Sequence, residues 1–402
     1  MKKKLAFLFM GMTLLAGCSA GPSSSGSGGG TADSSGSASG GNAQSGDTIK
    51  IGVNLELSGA VAAYGTAEEQ GIDLAVEQIN ADGGIDGKQI EIVKYDNTSN
   101  NTEAATVTAN LTENDDVVAI IGPATSGAVQ SALPNATSAQ VPIVTPSGTA
   151  DAITVSDSGS VQEYAFRSCF QDSFQGTVLA QYAEDTLNAE NVIILGDNSS
   201  DYAIGLTDAF EAEFSGNIVS SENFTSGDTD FQTVLTNIAN QDFDVLYVPG
   251  YYAEAGLIIK QAREMGITQP IIGADGFGDS QMVDIAGASN VTDVYYTAHF
   301  SANAPANDTV SSFISAFEAE YSTTPSAFNA LAYDAVYMIK QAIEDQGSAD
   351  SNAITEGLAS LKGFEGVTGT MTIDADHNPE KSAVVIGLTD GAETSAETVE
   401  PA

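Results

Sequence analysis

Apolar residues fall into two alternating patterns along most of the chain. Short runs that are apolar throughout, such as 117–121, are typical of strands buried on both faces. Between these runs apolar residues recur every three or four positions, as at Ile72, Ala75, Val76 and Ile79, and this spacing predicts amphipathic helices. The predicted strands are 49–55, 90–95, 117–121, 143–145, 192–195, 218–224, 245–248 and 271–272, and the predicted helices are 64–80, 102–114, 126–139, 174–187, 205–214, 231–239 and 253–265.

The alternation of strand and helix predicts the fold class. Apolar strands separated by helices form parallel sheets that are covered on both faces. Two successive sets of such units predict an α/β protein with two Rossmann-like lobes. In open α/β sheets the ligand lies beyond the carboxyl ends of the strands. The loops after residues 55, 121, 145, 195, 248 and 272 are therefore the candidates for a binding site.

The first residues have the pattern of an export signal. Three lysines, Lys2 to Lys4, precede a short apolar stretch that ends in Leu15-Ala16-Gly17-Cys18, which resembles the bacterial lipoprotein signal. We predict a signal peptide over 1–17 and lipid attachment at Cys18. The segment 18–47 is rich in Gly and Ser and predicts a flexible tether. The protein is thus expected to be extracytoplasmic and lipid-anchored to the bacterial membrane.

Composition excludes several classes of function. The chain of 402 residues has 12 basic and 54 acidic residues, a net charge of -42, which argues against a nucleic-acid partner. Its two histidines, His299 and His377, have no metal-ligand spacing, and no hydrolase motif, phosphate loop or dinucleotide fingerprint occurs. Cys169 is expected to be a small buried hydrophobe. We expect the protein to have no enzymatic activity and to bind no cofactor or metal ion.

The predicted loops carry neutral polar groups and one acid. Residues 122–127 and 146–149 follow strands and offer hydroxyls and backbone N–H groups, which suit a carboxylate held without a cation. Asp275 follows the strand 271–272 and could accept an ammonium group. Taken singly, each Ser or Thr could equally be a helix cap, and Asp275 a turn residue.

Several short motifs occur in an order that indicates a protein family. They are Leu57-Ser58-Gly59 with Tyr64-Gly65, Ile79-Asn80-Ala81-Asp82-Gly83-Gly84, Ile121-Gly122-Pro123 with Ser126, Pro146-Ser147-Gly148-Thr149, Gly227-Asp228-Thr229-Asp230-Phe231, Gly250-Tyr251-Tyr252 and Pro325-Ser326-Ala327-Phe328. In this order, from about residue 49 to 391, the chain resembles the branched-chain amino acid (leucine/isoleucine/valine)-binding proteins of ABC transporters, which have the type I periplasmic-binding-protein fold.

The resemblance implies a site for an L-amino acid. Ser126 and Thr149 would hold the α-carboxylate, and the Ser147 carbonyl, the Thr149 hydroxyl and Asp275 would hold the α-ammonium. Tyr64, Ala124 and Tyr251 would line the side-chain pocket, which Tyr202 would close from the second lobe. The ligand-binding residues implied are therefore Tyr64, Ala124, Ser126, Gly127, Ser147, Thr149, Tyr202, Tyr251 and Asp275.

The resemblance also implies a domain arrangement and partners. Lobe I would comprise 48–167 and 299–368, lobe II 168–298 and 369–394, and 395–402 would be a tail, with crossings near Arg167, His299 and Thr368. We expect a monomer that delivers its ligand to ABC permease subunits. Two alternatives stay open. One is a sensor ectodomain that acts with a separate signalling partner, and the other is a small-amide receptor in which Asp275 needs no ammonium.

Overall fold

The computed structural model describes residues 48–399, so the predicted signal peptide, Cys18 and residues 400–402 lie outside the described part. In chain order the first elements are β1 (Ile49–Leu55), α1 (Ala62–Ala81), β2 (Ile90–Asp96), α2 (Asn101–Glu113), β3 (Ala119–Ile121), α3 (Ser126–Ala139), β4 (Ile143–Thr145) and β5 (Ala165–Arg167). Next come α4 (Asp172–Gln181), β6 (Asn191–Asp197), α5 (Asp201–Glu213), β7 (Asn217–Phe224), α6 (Gln232–Ala239), β8 (Val245–Tyr247), α7 (Tyr252–Glu264), β9 (Ile271–Gly273), α8 (Ser280–Ala286) and β10 (Val294–Ala298). The last are α9 (Asp308–Tyr321), α10 (Ala327–Gln346), α11 (Ser351–Ala359), β11 (Phe364–Gly366), β12 (Gly369–Ile373), β13 (Pro379–Glu380), β14 (Ala383–Thr389) and β15 (Ala392–Val399).

The first sheet is parallel, as predicted. Its strand order is β2-β1-β3-β4-β5, and every neighbouring pair runs in the same direction. Strands β1, β3 and β4 are almost wholly buried, which explains why β3 and β4 are mostly apolar and why β1 has only two polar side chains, Lys50 and Asn54. Helices α1 and α10 pack together, as do α2 and α3. The one strand of this sheet that was not predicted is β5, which is only three residues long and ends in Arg167.

The second sheet is mixed rather than parallel. Its order is β15-β14-β10-β9-β8-β6-β7, in which the five strands from β10 to β7 are parallel, β14 pairs antiparallel with β10, and β15 pairs antiparallel with β14. The β14–β15 connection is the dipeptide Asp390-Gly391, and both residues have positive φ, 50° and 75°. Such a two-residue turn matches the twist of an antiparallel hairpin, so the chain reverses instead of crossing over.

Two further expectations need correction. The expected tail from residue 395 is wrong in part, because 395–399 pair with β14 as part of β15. The predicted helix 174–187 begins earlier, at Asp172, and its last turn from Tyr182 to Thr186 is a π-helix. None of the described helices is both long and apolar enough to cross a membrane.

Candidate functional site

A small cavity lies between the two lobes, at the carboxyl ends of strands from both sheets; its lining atoms enclose about 230 Å³ when the part open to solvent is included. Its lining comes from the loops after β3, β4, β8 and β9 and from the first turns of α1, α5 and α10. The lining residues are Tyr64, Ala124, Thr125, Ser126, Ser147, Tyr202, Tyr251, Asp275, Gly276 and Phe328. A larger open cleft adjoins it and shares Asp275 and Phe328, but it lacks the hydroxyl groups of the β3 and β4 loops.

The loop after β3 is held close to the sheet. Gly122 has a φ of 91°, and a Cβ there would lie 2.2 Å from the carbonyl oxygen of Asn54, so only glycine fits. The carboxylate of Glu56 accepts hydrogen bonds from the N–H groups of Ala124 and Thr125, at 3.0 and 3.1 Å, and from the Thr125 hydroxyl at 2.7 Å. Burial raises the pKa of Glu56. These contacts fix the start of α3 at the cavity wall.

Ser126 lines the cavity, and its hydroxyl donates no hydrogen bond to the residues that the structure describes. Its Oγ accepts a hydrogen bond from the N–H of Ala150 at 3.1 Å, which fixes the oxygen but does not use its proton. Ser126 is also the first residue of α3, where backbone N–H groups lack partners within the helix. One hydroxyl and a helix N-terminus therefore face the cavity without any cationic side chain.

Arg167 anchors the loop after β4 from behind. The side chain is fully buried and donates to the carbonyl oxygens of Gly148, Thr149 and Ala150, at 3.1, 2.7 and 2.9 Å, and to the Thr154 hydroxyl at 3.0 Å. Three consecutive carbonyls of the loop are thus bonded to one guanidinium, which restrains the backbone between Ser147 and Ala150. Sequence reasoning placed Arg167 at a lobe crossing and did not assign it this role.

Asp275 forms the opposite wall. Its Oδ1 accepts from the Tyr202 hydroxyl at 2.7 Å, its backbone N–H donates to Gln175 Oε1 at 3.1 Å, and its Oδ2 lies 3.4 Å from Nε2 of His299. Burial lowers the pKa of His299 to about 4, so the ring is neutral at pH 7. A carboxylate that is 5% exposed therefore faces the cavity with a phenol and a neutral imidazole beside it, but no cation.

Aromatic rings complete the enclosure. Tyr64 stacks on Phe328 with ring centroids 4.5 Å apart, and Tyr202 stacks on Tyr251 at 5.1 Å. The lobes also meet through hydrogen bonds: the Tyr64 hydroxyl donates to the carbonyl oxygen of Gly276 at 2.5 Å and accepts from the N–H of Tyr252 at 3.1 Å. The two lobes are therefore in contact across the cavity.

Most of the residues singled out from the sequence come together at this cavity. Seven of the nine line it, and Gly127 and Thr149 do not. Gly127 packs against Asn101 at the start of α3, and Thr149 is fully buried with a hydroxyl that has no hydrogen-bond partner among residues 48–399. Sequence reasoning missed Thr125, Gly276 and Phe328. Phe328 was visible in the motif Pro325-Ser326-Ala327-Phe328, but no helix was predicted there.

The remaining candidates are structural. Cys169 is a free cysteine, fully buried as expected, and burial raises the pKa of its thiol to about 12. His377 stacks on Phe166 and its Nδ1 lies 3.1 Å from the carbonyl oxygen of Ala165. Within residues 48–399 no group of three or more His, Cys, Asp or Glu side chains could hold a metal ion.

Proteins of known structure share this fold. The branched-chain amino acid transporter substrate binding protein LivJ from Streptococcus pneumoniae, whose crystal structure contains isoleucine, is 48% identical, with a TM-score of 0.84 over 88% of this chain and 100% of that chain. The leucine binding protein LivK from Thermotoga maritima is 32% identical, with a TM-score of 0.82 over 88% and 99% of the two chains.

Relatives of known sequence agree with these structures. The leucine-, isoleucine-, valine-, threonine- and alanine-binding protein of Pseudomonas aeruginosa is 30% identical over 331 residues, which are 82% of this chain and 86% of the relative. The predicted resemblance and the two-lobed α/β fold are thus confirmed. Since the pattern of the family described as periplasmic binding protein matches residues 48–392, the chain belongs to that family.

Proposed function

We propose that this protein captures an L-amino acid with a branched or other aliphatic side chain between its lobes and delivers it to an ABC permease. The observation that carries this proposal is the polarity of the cavity. Hydroxyl and N–H donors of Ser126 and the α3 N-terminus lie on one wall, and the carboxylate of Asp275 lies on the other. A zwitterion complements both. The Pseudomonas relative is named for leucine, isoleucine, valine, threonine and alanine, LivK is a leucine binding protein, and the LivJ crystal structure contains isoleucine.

The carboxylate of the ligand would lie against the first lobe. Ser126 has a free hydroxyl proton because its oxygen already accepts from Ala150. The N–H groups of Ala124 and Thr125 are occupied by Glu56, so the N–H groups of Ser126 and Gly127 remain for the ligand. A helix N-terminus favours an anion through its unpaired N–H groups and its dipole. No lysine or arginine is needed.

The ammonium of the ligand would lie against Asp275. The Asp275 side chain accepts from Tyr202 and lies beside neutral His299, and no cationic side chain of residues 48–399 is paired with it. A buried carboxylate is costly unless it is paired. The carbonyl of Ser147, a residue of the cavity lining, would complete the ammonium site, whereas Thr149, which the resemblance also assigns to it, does not line the cavity.

The side chain of the ligand would meet apolar groups. Tyr64, Tyr251 and Phe328 supply ring faces and Ala124 a methyl group. The hydroxyl of Tyr64 is engaged with Gly276 and with the N–H of Tyr252. An aliphatic side chain therefore fits this end better than a charged one.

The ligand class can be tested by calorimetry of the purified protein. We expect isoleucine, leucine or valine to bind, and acetamide and urea to give no heat, because an amide has no ammonium for Asp275 and no carboxylate for Ser126. A thermal-shift screen gives an independent readout, since a ligand at 100 times its Kd stabilises the protein by about 2.7 kcal/mol. Tight binding of acetamide or urea, with no amino acid bound, would contradict the proposal and favour the amide receptor.

Ligand capture would involve a hinge between the lobes. We place lobe I at 48–167 and 299–368, and lobe II at 168–298 and 369–394. Strand β5 belongs to the first sheet, but the next helix, α4, packs on α5 of the second lobe. Strand β10 belongs to the second sheet, but α10, which comes after it and α9, packs on α1 of the first lobe. Both changes of lobe support crossings near Arg167 and His299. A ligand that contacts both lobes favours the closed form by its greater affinity for that form. The protein would act as a monomer.

Lipid anchoring to the membrane through Cys18 is a further part of the proposal. Cys18 lies outside the described residues, and its role rests on the sequence Leu15-Ala16-Gly17-Cys18. We expect Cys18→Ser protein to incorporate no labelled fatty acid when it is expressed in a bacterium, because the thioether to the lipid cannot form. The matched control is Cys169→Ser, which removes the other cysteine and should keep the label. Equal labelling of the Cys18→Ser protein and the wild type would exclude lipid attachment at Cys18.

A further inference from the structure

A buried acid lies directly behind the cavity wall. Glu68 is on α1, one turn after Tyr64, and is fully buried. Its Oε1 is 2.5 Å from the Oγ of Ser147, which lines the cavity. The second carboxyl oxygen, Oε2, has no hydrogen-bond partner among residues 48–399, and no salt bridge of Glu68 is present in that part of the chain.

The hydrogen bonds of the Ser147 hydroxyl indicate whether the Glu68 carboxyl group carries a proton. Its Oγ lies 2.5 Å from Glu68 and 2.8 Å from the carbonyl oxygen of Ala124. Both neighbours are acceptors if Glu68 is ionised, but a hydroxyl has only one proton to donate. The Ala124 carbonyl has no other donor among the described hydrogen bonds, and a buried carbonyl without a donor is costly. The arrangement is complete only when Glu68 carries the extra proton.

We propose that Glu68 is a neutral carboxylic acid that donates a hydrogen bond to the Ser147 hydroxyl. Ser147 then donates to the carbonyl of Ala124, and this bond fixes the loops after β3 and β4 relative to each other. Glu68 is thus a positioning residue and touches no ligand itself. The role in binding rests on the proposed function, whereas the protonation state does not. With Glu68 neutral, Asp275 is the acid that meets the ligand charge.

The surroundings of Glu68 agree with this assignment. The charged group that faces it is Glu56, whose carboxylate holds the neighbouring Ala124 and Thr125 N–H groups. Burial, together with Glu56, raises the pKa of Glu68 well above its ordinary value of 4.5, although the Ser147 hydroxyl opposes the shift. A second ionised carboxylate here would have neither water nor a cation to stabilise it.

The protonation state predicts a pH dependence of stability that needs no ligand. Above pH 4.5 the unfolded chain releases the Glu68 proton, and the folded chain keeps it, so folding takes up one proton. This contribution to stability is complete below pH 4.5 and falls as pH rises toward the folded pKa. The glutamine side chain of Glu68→Gln is neutral in both the folded and the unfolded chain, so folding of the variant takes up no proton at this position. Its amide can still donate to Ser147.

The experiment is urea unfolding of the purified wild-type and Glu68→Gln proteins between pH 5 and 7, without ligand. We expect the ratio of the variant's folding constant to that of the wild type to rise about tenfold per pH unit, since one proton is linked. Glu77→Gln, an exposed acid on the same helix, is the matched control and should give a flat ratio. A Glu68→Gln ratio that rises less than threefold per unit would overturn the assignment.

Binding of isoleucine tests the positioning role. At pH 7 Glu68→Gln is expected to change the Kd by less than fivefold, whereas Glu68→Met, which cannot donate to Ser147, is expected to raise it by fivefold or more. The Met variant also repeats the pH test if the Gln variant fails to fold. A Gln variant that loses fivefold or more would show that the ligand needs a charge at Glu68. A Met variant that binds like the wild type would exclude positioning. If the wild type itself binds no amino acid, the pH test still stands alone.

Discussion

Asp275→Ala is expected to raise the Kd for isoleucine by roughly 100- to 4,000-fold while the protein stays folded. The acid is nearly buried in a closed cleft, its neighbours Tyr202 and His299 are neutral, and it would be the partner of the ligand ammonium. Removing one member of a buried ion pair costs about 3 to 5 kcal/mol, because the other charge remains desolvated. Titration calorimetry measures the change. Asp275→Asn keeps a carbonyl acceptor and should lose less.

The matched control for Asp275 is Asp279→Asn. Asp279 is a half-buried acid only four residues away, and its side chain accepts from the N–H of Gln281 at the start of α8. Asparagine preserves that cap and removes only the charge. We expect less than a fivefold change in Kd. A change below fivefold in the Asp275→Ala variant, with the fold intact, would mean that Asp275 is a turn residue and would reopen the amide receptor.

Arg167→Met is expected to lower the free energy of unfolding by about 3 to 5 kcal/mol and to weaken isoleucine binding at least tenfold. The substitution removes four hydrogen bonds from a fully buried guanidinium, so that the carbonyls of residues 148–150 keep only one donor each, the Cys169 thiol and the N–H groups of Asp172 and Ile153. Hydrogen bonds to charged groups contribute about 1.5 to 3 kcal/mol each and are not additive. Binding should fall because this loop connects Ser147 and Thr149 to the site. Urea unfolding monitored by circular dichroism and calorimetry give the two values.

Arg263→Met is the matched control, which shows whether a loss of stability alone weakens ligand binding. Arg263 also donates to three carbonyl oxygens, those of Ile267, Gln269 and Thr292, at 2.8 to 2.9 Å, but it lies at the end of α7 away from the cavity. We expect reduced stability and a Kd for isoleucine within about twofold of the wild type. An Arg167→Met protein that is destabilised but binds normally would contradict the loop-anchoring role.

The periodic part of the chain could be predicted because its determinants are local. The continuous apolar runs within β3, β6 and β8 and the three-to-four-residue spacing of α1 follow from burial within one element. The location of the site could be predicted for a related reason, since the carboxyl ends of parallel strands meet at one edge of a sheet. Seven residues of the cavity lining, including Ser126 and Asp275, were found in this way and by resemblance to the family.

The contributions that prediction missed come from positions distant in sequence. Phe328 reaches the cavity from α10 and stacks on Tyr64, more than two hundred residues earlier. The antiparallel strands β14 and β15 join a sheet whose other members are parallel, and only the Asp390-Gly391 turn signalled the reversal. Thr149, by contrast, lies in a loop that prediction included, but it is not part of the cavity lining, and its carbonyl accepts from Arg167.

By itself the sequence determined the alternation of strands and helices, the two-lobed class of fold, the acidic character of the chain and the loops that carry the site. These properties depend on composition and on the spacing of neighbours. The tertiary structure decided which groups are buried together: Glu68 behind Ser147, Glu56 beneath the start of α3, Arg167 behind the loop after β4, and Tyr64 bonded to Gly276 across the lobes. Protonation and hydrogen bonding depend on what surrounds a group in space, and that is set by packing of distant segments rather than by adjacent residues.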